Sequence, residues 1–436
     1  MIALAASASQ AGGIERVPAL EQLMRASLVS SPVLNAKRSD LAAARSDIDA
    51  ARWQYTPSVS ADLQQGSGPN TLNGRVLRVD QKLYAGGRLD ADLGGARARR
   101  DSAVYAVQES ALALSVQIVS GFQSLAAANR QVAAIGQYRQ RLDALQGTIS
   151  RRIESGVSAQ ADQSLMSARL VQSQNDLALA RAAQRGAVAT LSKLVGDTSL
   201  VEQLAPDVAV PASTTLPTPA ALCADNASAD SQLRAVLTQH PAVQRIERDI
   251  AAARASVQSQ RAALQPALGV RVEQPIAPAT DATLRSTRVS LVLQYAPDAG
   301  LSGLSRAQAG NERVGSLVNQ ADALQREIVQ QIRGECAEQA SVIERVAGYA
   351  QARGYTTEVL ASSTRLFIAG KRGWLDVLNA AREDFDNEQA GIVAGAALLG
   401  SQYRLALLTG ERTLPLPGVA DEPPSDLRHS LQALLP

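Results

Sequence analysis

SPVLNAKRSDLAAARSDIDAARWQYTPSVS, Ser31–Ser60, returns 209 positions later as HPAVQRIERDIAAARASVQSQRAALQPALGV, His240–Val270. Pro32 meets Pro241, Asp40 meets Asp249, Ala42-Ala43-Ala44-Arg45 meets Ala251-Ala252-Ala253-Arg254, Arg52 meets Arg261 and Pro57 meets Pro266. A correspondence this long makes the chain two copies of one architectural unit.

Working outward from the repeat, each copy changes period at its second proline. Val59, Ala61 and Leu63 alternate with Ser58, Ser60, Asp62 and Gln64, and Leu268, Val270 and Val272 oppose Arg271 and Glu273. Period-two alternation is the mark of a strand with two different faces. Turn-rich segments follow, Gly66–Asn70 and Pro275–Thr283, and then a second alternating stretch. There Leu77, Val79 and Leu83 oppose Arg78, Asp80 and Lys82, and Val289, Leu291, Leu293 and Tyr295 oppose Arg288, Ser290 and Gln294. Each copy therefore reads as helix, β-hairpin, helix, with the hairpins at 57–84 and 266–296.

The helices after the hairpins are long. Arg88 to Ile153 contains no proline, nor does Asp298 to Arg412. Ile135, Tyr138, Leu142, Leu145 and Ile149 fall at spacings of three and four, a coiled-coil seam, and Leu317, Ala321, Leu324 and Ile328 continue the pattern in the second copy. At ~1.5 Å per residue, a helix of roughly 65 residues spans about 100 Å, deeper than a compact domain. Both runs break at glycine, in Glu154-Ser155-Gly156-Val157-Ser158-Ala159 and in Ile368-Ala369-Gly370-Lys371-Arg372-Gly373. Glycine supplies the left-handed residue that ends a helix, and Ser158 is suited to cap the next one. Each long helix is thus expected to turn at a tip, with shorter helices returning to about Lys193 and Leu408.

The organisation that follows is an N-terminal segment with a short helix at 1–30 and a first repeat at 31–198 with its tip near 155–158. A linker at 199–229, a second repeat at 230–411 with its tip near 369–373, and a tail at 412–436 complete it. With 43 basic and 41 acidic residues the net charge is +2, so no nucleic-acid partner is implied. The longest apolar run, Ile392–Leu399, is short of the ~20 residues of a membrane helix. A membrane crossing would have to use strands. Four strands cannot close a barrel, and open edges are not tolerated in hydrocarbon; three chains would supply ~12 strands, within the range of outer-membrane barrels.

The duplicated plan, the strand openings TPSVSADL and QPALGV, the exit QKLYAGG and the tips ESGVSAQAD and AGKRGWLDVLNA resemble the TolC family of trimeric outer-membrane channel-tunnels, over roughly Ser31 to Glu411. Within it, SSPVLNAKR, YAPDAGLSGLS and AGKRGWLDVLNAARE look most like the LapE-like branch serving type I secretion of large adhesins. The fold class implied is mainly α with a small β part. Long antiparallel coiled-coil hairpins form a trimeric α-barrel, and four strands per chain contribute to a shared outer-membrane β-barrel of ~12 strands. The resemblance implies a homotrimer in the outer membrane of a Gram-negative bacterium, most of its mass in the periplasm. Its partners are outer-membrane lipid, a periplasmic adaptor, an inner-membrane ABC transporter and a secreted adhesin-like protein. No cofactor is implied. A small-molecule efflux channel is the rival within the family, and a soluble coiled-coil scaffold explains the heptads but not the strands.

The resemblance also assigns residues. Asp162 and Arg372 take the places of a pair that holds the tunnel shut, and Phe367 stands where an aromatic member of that lock is common. Asp376 matches a lumen-facing carboxylate ring, in which Asn379 replaces a second acid found in other members. Gly156, Val157, Gly370 and Lys371 occupy the tips that receive the adaptor. The bland alternatives are that Asp162 and Asp376 compensate a helix dipole and that Arg372 is a solvated charge. Cys223 lies in the linker, which the family wraps around the tunnel as a belt, and Cys336 lies in the second long helix; they are either bridged or two buried thiols.

Enzyme chemistry finds little support. The two histidines, His240 and His429, form no cluster, His240 sits at a helix boundary, and Gly86-Gly87 and Gly94-Gly95 lack the spacing and lysine of a phosphate loop. Met1–Gln10 has neither the charged nor the apolar part of a secretory leader, while Ala5–Ala8 resembles a leader's small-residue end. A leader removed or starting elsewhere is therefore expected. No cysteine stands near the start for the lipid anchor of some family members. The tail from Pro415 is proline-rich, then briefly helical from about Asp426.

Overall fold

The structure, a computed structural model, describes residues 17–64, 74–209, 221–224, 226–275, 286–295 and 302–412. The leader-like opening, the turns at 66–70 and 276–283, linker residues 210–220, His429 and the tail from Pro415 lie outside the described residues.

The repeat is written into the element boundaries. Helices α1 (Pro18–Ser30) and α6 (Ala227–Gln239) stand 209 positions apart, as do α2 (Pro32–Trp53) and α7 (Pro241–Ala262). The equivalence therefore begins upstream of Ser31. Strands β1 (Ser58–Gln64) and β3 (Ala267–Pro275) also begin 209 apart, whereas β2 (Gly74–Tyr84) and β4 (Arg288–Gln294) begin 214 apart. Five extra residues thus enter between the strands of the second hairpin. The offset of 214 then holds for the long helices α3 (Arg88–Glu154) and α8 (Ser302–Ile368), 67 residues each. It holds too for the starts of the returning helices α4 (Gln160–Val195) and α9 (Trp374–Leu408). The linker carries α5 (Thr198–Leu204) and two short 3-10 turns among its described residues.

The chain divides into two units. One, Asn35–Glu109 with Leu237–Glu327, holds all four strands. They form an antiparallel sheet in the order β1-β2-β3-β4, so β1 and β4 are its edges. Its helical part is thin-cored: Ile48 and Ala51 of α2 pack on Ala96 of α3, and Ile246 and Ile250 of α7 on Ala321 of α8. Alanines at these crossings let helices approach closely.

The other unit holds the larger cores. In one, Leu20, Leu23 and Met24 of α1 meet Ile118, Phe122 and Leu125 of α3, Leu191 of α4 and Tyr403 of α9. The Tyr403 hydroxyl accepts the Val17 N–H at 2.8 Å, capping the start of α1. In the other, the expected seam of Ile135, Tyr138, Leu142 and Ile149 packs against Met166, Val377, Leu378 and Phe385. Counting unbroken apolar runs understated two helices. α3 and α9 contain stretches long and apolar enough to cross a membrane, and about half of each stretch is buried in the protein, 50% and 56%. That share reflects these helical cores.

The start of α7 carries a titratable cap. His240 is buried, its Nδ1 accepts the Ala242 N–H at 3.3 Å, and its repeat counterpart is the buried Ser31. Burial pushes the imidazole pKa below its ordinary 6.5, with Glu109 pulling weakly the other way. The unfolded chain therefore binds a proton that the folded chain rejects, and stability falls as pH drops below about 6.5. His240→Ser, which copies Ser31, is expected to flatten the decline in unfolding temperature between about pH 7 and 5. An unchanged decline would count against His240 as its source.

Candidate pore-forming sheet and helix tips

The sheet separates two chemistries by register. Val59, Val79, Val272 and Val289 lie side by side across all four strands, and the next row runs Gln81, Val270 and Leu291. On the edge strands the apolar side chains of this face have no cover, Val59, Val289, Leu291 and Leu293 being 66–70% exposed, and on the central strands Val79, Val270 and Val272 are half-buried. On the opposite face, Ser60, Arg78, Glu273 and Arg288 form one row and Ser58, Asp80, Arg271 and Ser290 the next. An exposed apolar face of this extent on a soluble monomer marks an interaction surface. Backed by a charged face, it suits a sheet with hydrocarbon on one side and water on the other.

Aromatic residues gather where the sheet meets the helices. Trp53 ends α2, Tyr55 precedes β1, Tyr84 ends β2 and Tyr295 follows β4, and all four are exposed. Each sits at the same end of its antiparallel strand. The Tyr55 hydroxyl donates to Asp90 at 2.6 Å, and burial together with this bond pushes its pKa up to about 12. Tyr84 donates to Gln265 at 3.3 Å. Tyrosine and tryptophan, apolar in body and polar at the tip, collect at membrane–water boundaries. The sequence reading missed this collar because its members are scattered over 243 positions and only strand pairing aligns them.

The two helix tips share one backbone. Gly156 and Gly370, 214 apart, adopt φ of 72° and 71°. Gly156 N–H bonds to Ile153 and Val157 N–H to Arg152; Gly370 and Lys371 repeat this with Phe367 and Leu366. A β-carbon is strained at such φ, so glycine is what the turn requires. Val157 and Lys371 stand exposed beside these glycines. Ser158 does not cap α4. The helix starts after Ala159 with no side-chain cap, and Ser158 Oγ instead accepts from Arg152 Nε at 3.4 Å.

Side chains make the tips unequal. Phe367 is buried, packs on Trp374 with ring centroids 5.0 Å apart, and carries the Arg152 guanidinium 4.7 Å above its face. Trp374 Nε1 donates across to the Asp162 carbonyl at 3.2 Å. Arg152 and Trp374 thus tie tip to tip, and neither was singled out in the sequence. Within one chain Arg372 does not reach the Asp162 carboxylate: its Nη1 donates to Ser363 at 2.5 Å and its Nε stands 4.0 Å from Asp376. Asp162 and Asp376 are repeat equivalents in the first turns of α4 and α9, where a carboxylate opposes the helix dipole. Asp376 also accepts the Gly373 N–H at 3.3 Å. Asn379 lies one turn on, its side-chain oxygen 3.5 Å from Arg169.

Behind the tips lies a polar layer that the sequence left unmarked. Asp384, 1% exposed, accepts from Arg141 at 2.8 Å, Thr357 at 2.7 Å and Thr356 at 3.1 Å. Glu388, one turn later, accepts from Arg353 at 2.6 Å. The layer joins α3, α8 and α9. Cys223 and Cys336 are joined by a disulfide with Cα atoms 5.4 Å apart, fixing the linker to α8.

With this geometry described, likeness to known proteins becomes informative. Residues 23–197 match the family model of outer membrane efflux proteins. The outer-membrane channel OprN superposes with a TM-score of 0.76 at 18% identity, covering 93% of this chain and 95% of that one. A membrane protein from Pseudomonas aeruginosa gives 0.74 at 17%, with 90% of each chain covered, and the outer membrane protein VceC from Vibrio cholerae gives 0.73 at 15%, with 90% and 96% covered. The chain has the TolC-like outer-membrane channel-tunnel fold. The family match covers under half of the chain, and the structural likeness is one of fold. The matched family model, OprN and VceC are all described as outer-membrane proteins. No curated protein sequence matches the chain.

The buried layer behind the tips yields a direct prediction. Asp384→Ala takes the near acceptor from Arg141 and Thr357, leaving Arg141 only Glu388 at 3.9 Å and Thr356 the Arg353 carbonyl, and breaking such a buried pair costs about 3–5 kcal/mol. Because the Arg141 side chain is 38% exposed and can turn to water, about 3 kcal/mol is expected in denaturant unfolding. A loss under about 1 kcal/mol would show that the layer contributes no net stability.

Proposed function

We propose that the protein is a homotrimeric outer-membrane export duct. One observation carries this reading: a four-stranded sheet with both edges unpaired in the chain, apolar and exposed on one face, charged on the other, and collared by aromatics at its helical end. Three copies supply ~12 strands, enough to close a barrel that leaves no edge. The charged face then lines water and the valine row meets lipid. The helical hairpins form the periplasmic tunnel, and the chain performs no bond chemistry.

The tips act as the closed end. Asp162 and Arg372 serve as the gating pair between neighbouring copies, since within one chain Arg372 is occupied by Ser363 and Asp376. An exposed pair of this kind is worth only ~0–1 kcal/mol, a strength that a reversible gate can use, and the trimer repeats it. Phe367 is the buried anchor of the tip, and Asp376 with Asn379 lines the constriction. Gly156, Val157, Gly370 and Lys371 receive a periplasmic adaptor, which couples the duct to an inner-membrane ATP-driven transporter.

For cargo, the motifs SSPVLNAKR, YAPDAGLSGLS and AGKRGWLDVLNAARE favour a large adhesin-like protein exported by a type I system. The family model's description, efflux, favours small molecules as a second reading. Planar-bilayer recording of the purified protein tests the duct: a small single-channel conductance that rises at least several-fold in Arg372→Ala is expected. Channels whose conductance ignores the substitution would remove Arg372 from the gate, and the absence of any channel would remove the duct.

A further inference from the structure

We infer that the polar face of the sheet is an anion-favouring filter, set by Lys82 and Arg288, because the acids beside them are held by arginines within the wall and the described face keeps a net positive charge. This inference rests on the duct reading, which turns that face toward the lumen.

The described part of this face carries four cations, Arg78, Lys82, Arg271 and Arg288, and three anions, Asp62, Asp80 and Glu273. All three acids are held by arginines. Arg78 bridges two of them, diagonally to Asp62 at 3.0 Å and directly across to Glu273 at 3.2 Å. Arg271 holds Asp80 across the β2–β3 pair at 2.6 Å. Neighbours on one sheet face lie close enough for such pairing; a solute in the lumen meets Arg271 with Asp80 as a dipole and Arg78 with its two acids as a weakened negative charge.

Lys82 and Arg288 differ. Among the described residues neither forms an ion pair, although Arg288 stands opposite Glu273 in the register. Glu273 is already turned toward Arg78, on the other side of its strand, which leaves the edge guanidinium on β4 to act outward. Lys82 lies opposite Gly269, which offers no side chain, just before the register shift at Tyr84. Two cations without an ion pair, set against the one surplus carboxylate of the Arg78 pairs, leave a net +1 per chain and +3 around a trimeric barrel. A ring of like charge lining an aqueous path favours counter-ions.

Reversal potentials of single channels under a KCl gradient test this. Lys82→Gln with Arg288→Gln is expected to move the reversal potential toward the potassium value. Asp80→Asn, which frees Arg271, is expected to move it toward the chloride value. The first variant changes exposed side chains that hold no ion pair among the described residues, so a misfolded Asp80→Asn still leaves one arm to read. Conducting channels in which Lys82→Gln/Arg288→Gln leaves the reversal potential in place would overturn the filter while sparing the duct. A wild-type protein that never conducts would overturn the duct itself.

Discussion

Hydrocarbon offers no hydrogen bonds, so each backbone N–H and C=O placed in it must find a partner in protein. A sheet of four strands satisfies its interior and leaves two edges open, here β1 and β4. With valine and leucine 66–70% exposed on one face, the sheet cannot rest in water either. Both demands are met when the edge of one copy pairs with the edge of the next until the ring closes. Oligomerisation on this account is a condition for the strands to exist in their membrane setting. The ion pairs on the opposite face follow from the same closure, since they hold β1, β2 and β3 in the register that aligns valine with valine.

The duplication supplies backbone symmetry and withholds side-chain symmetry. Gly156 and Gly370 end their helices with the same hydrogen bonds, and Asp162 and Asp376 occupy equivalent first turns. Yet Ile153, Ser158 and Gln160 in the first copy answer to Phe367, Arg372 and Trp374 in the second. The consequence is a division of labour. The second tip carries the aromatic pair Phe367 and Trp374, and the first supplies the Arg152 guanidinium and the Asp162 carbonyl that receive them. The buried layer of Asp384 and Glu388 then fixes α9 against α3 and α8.

Much of this was legible in the sequence because it depends on short-range periodicity. Alternation at Val59–Leu63 and at Val289–Leu293 named the strands and their faces, and the three-four spacing from Ile135 to Ile149 named the seam. What escaped depends on partners distant in the chain. Arg78 and Glu273 meet 195 residues apart, and Trp53, Tyr55, Tyr84 and Tyr295 align only once four strands pair. Asp384 and Glu388 escaped because no local pattern separates a buried acid from an exposed one. Ser158 had the composition of a cap, but its hydroxyl oxygen accepts from Arg152, six residues back.

The most direct test of the trimeric duct is the mass and symmetry of the detergent-extracted protein, by light scattering corrected for detergent and by negative-stain imaging. Particles of three copies with a three-fold ring in end view and a central lumen are the predicted result. A monomer or dimer without a lumen, equally soluble without detergent, would contradict the shared barrel and with it the duct.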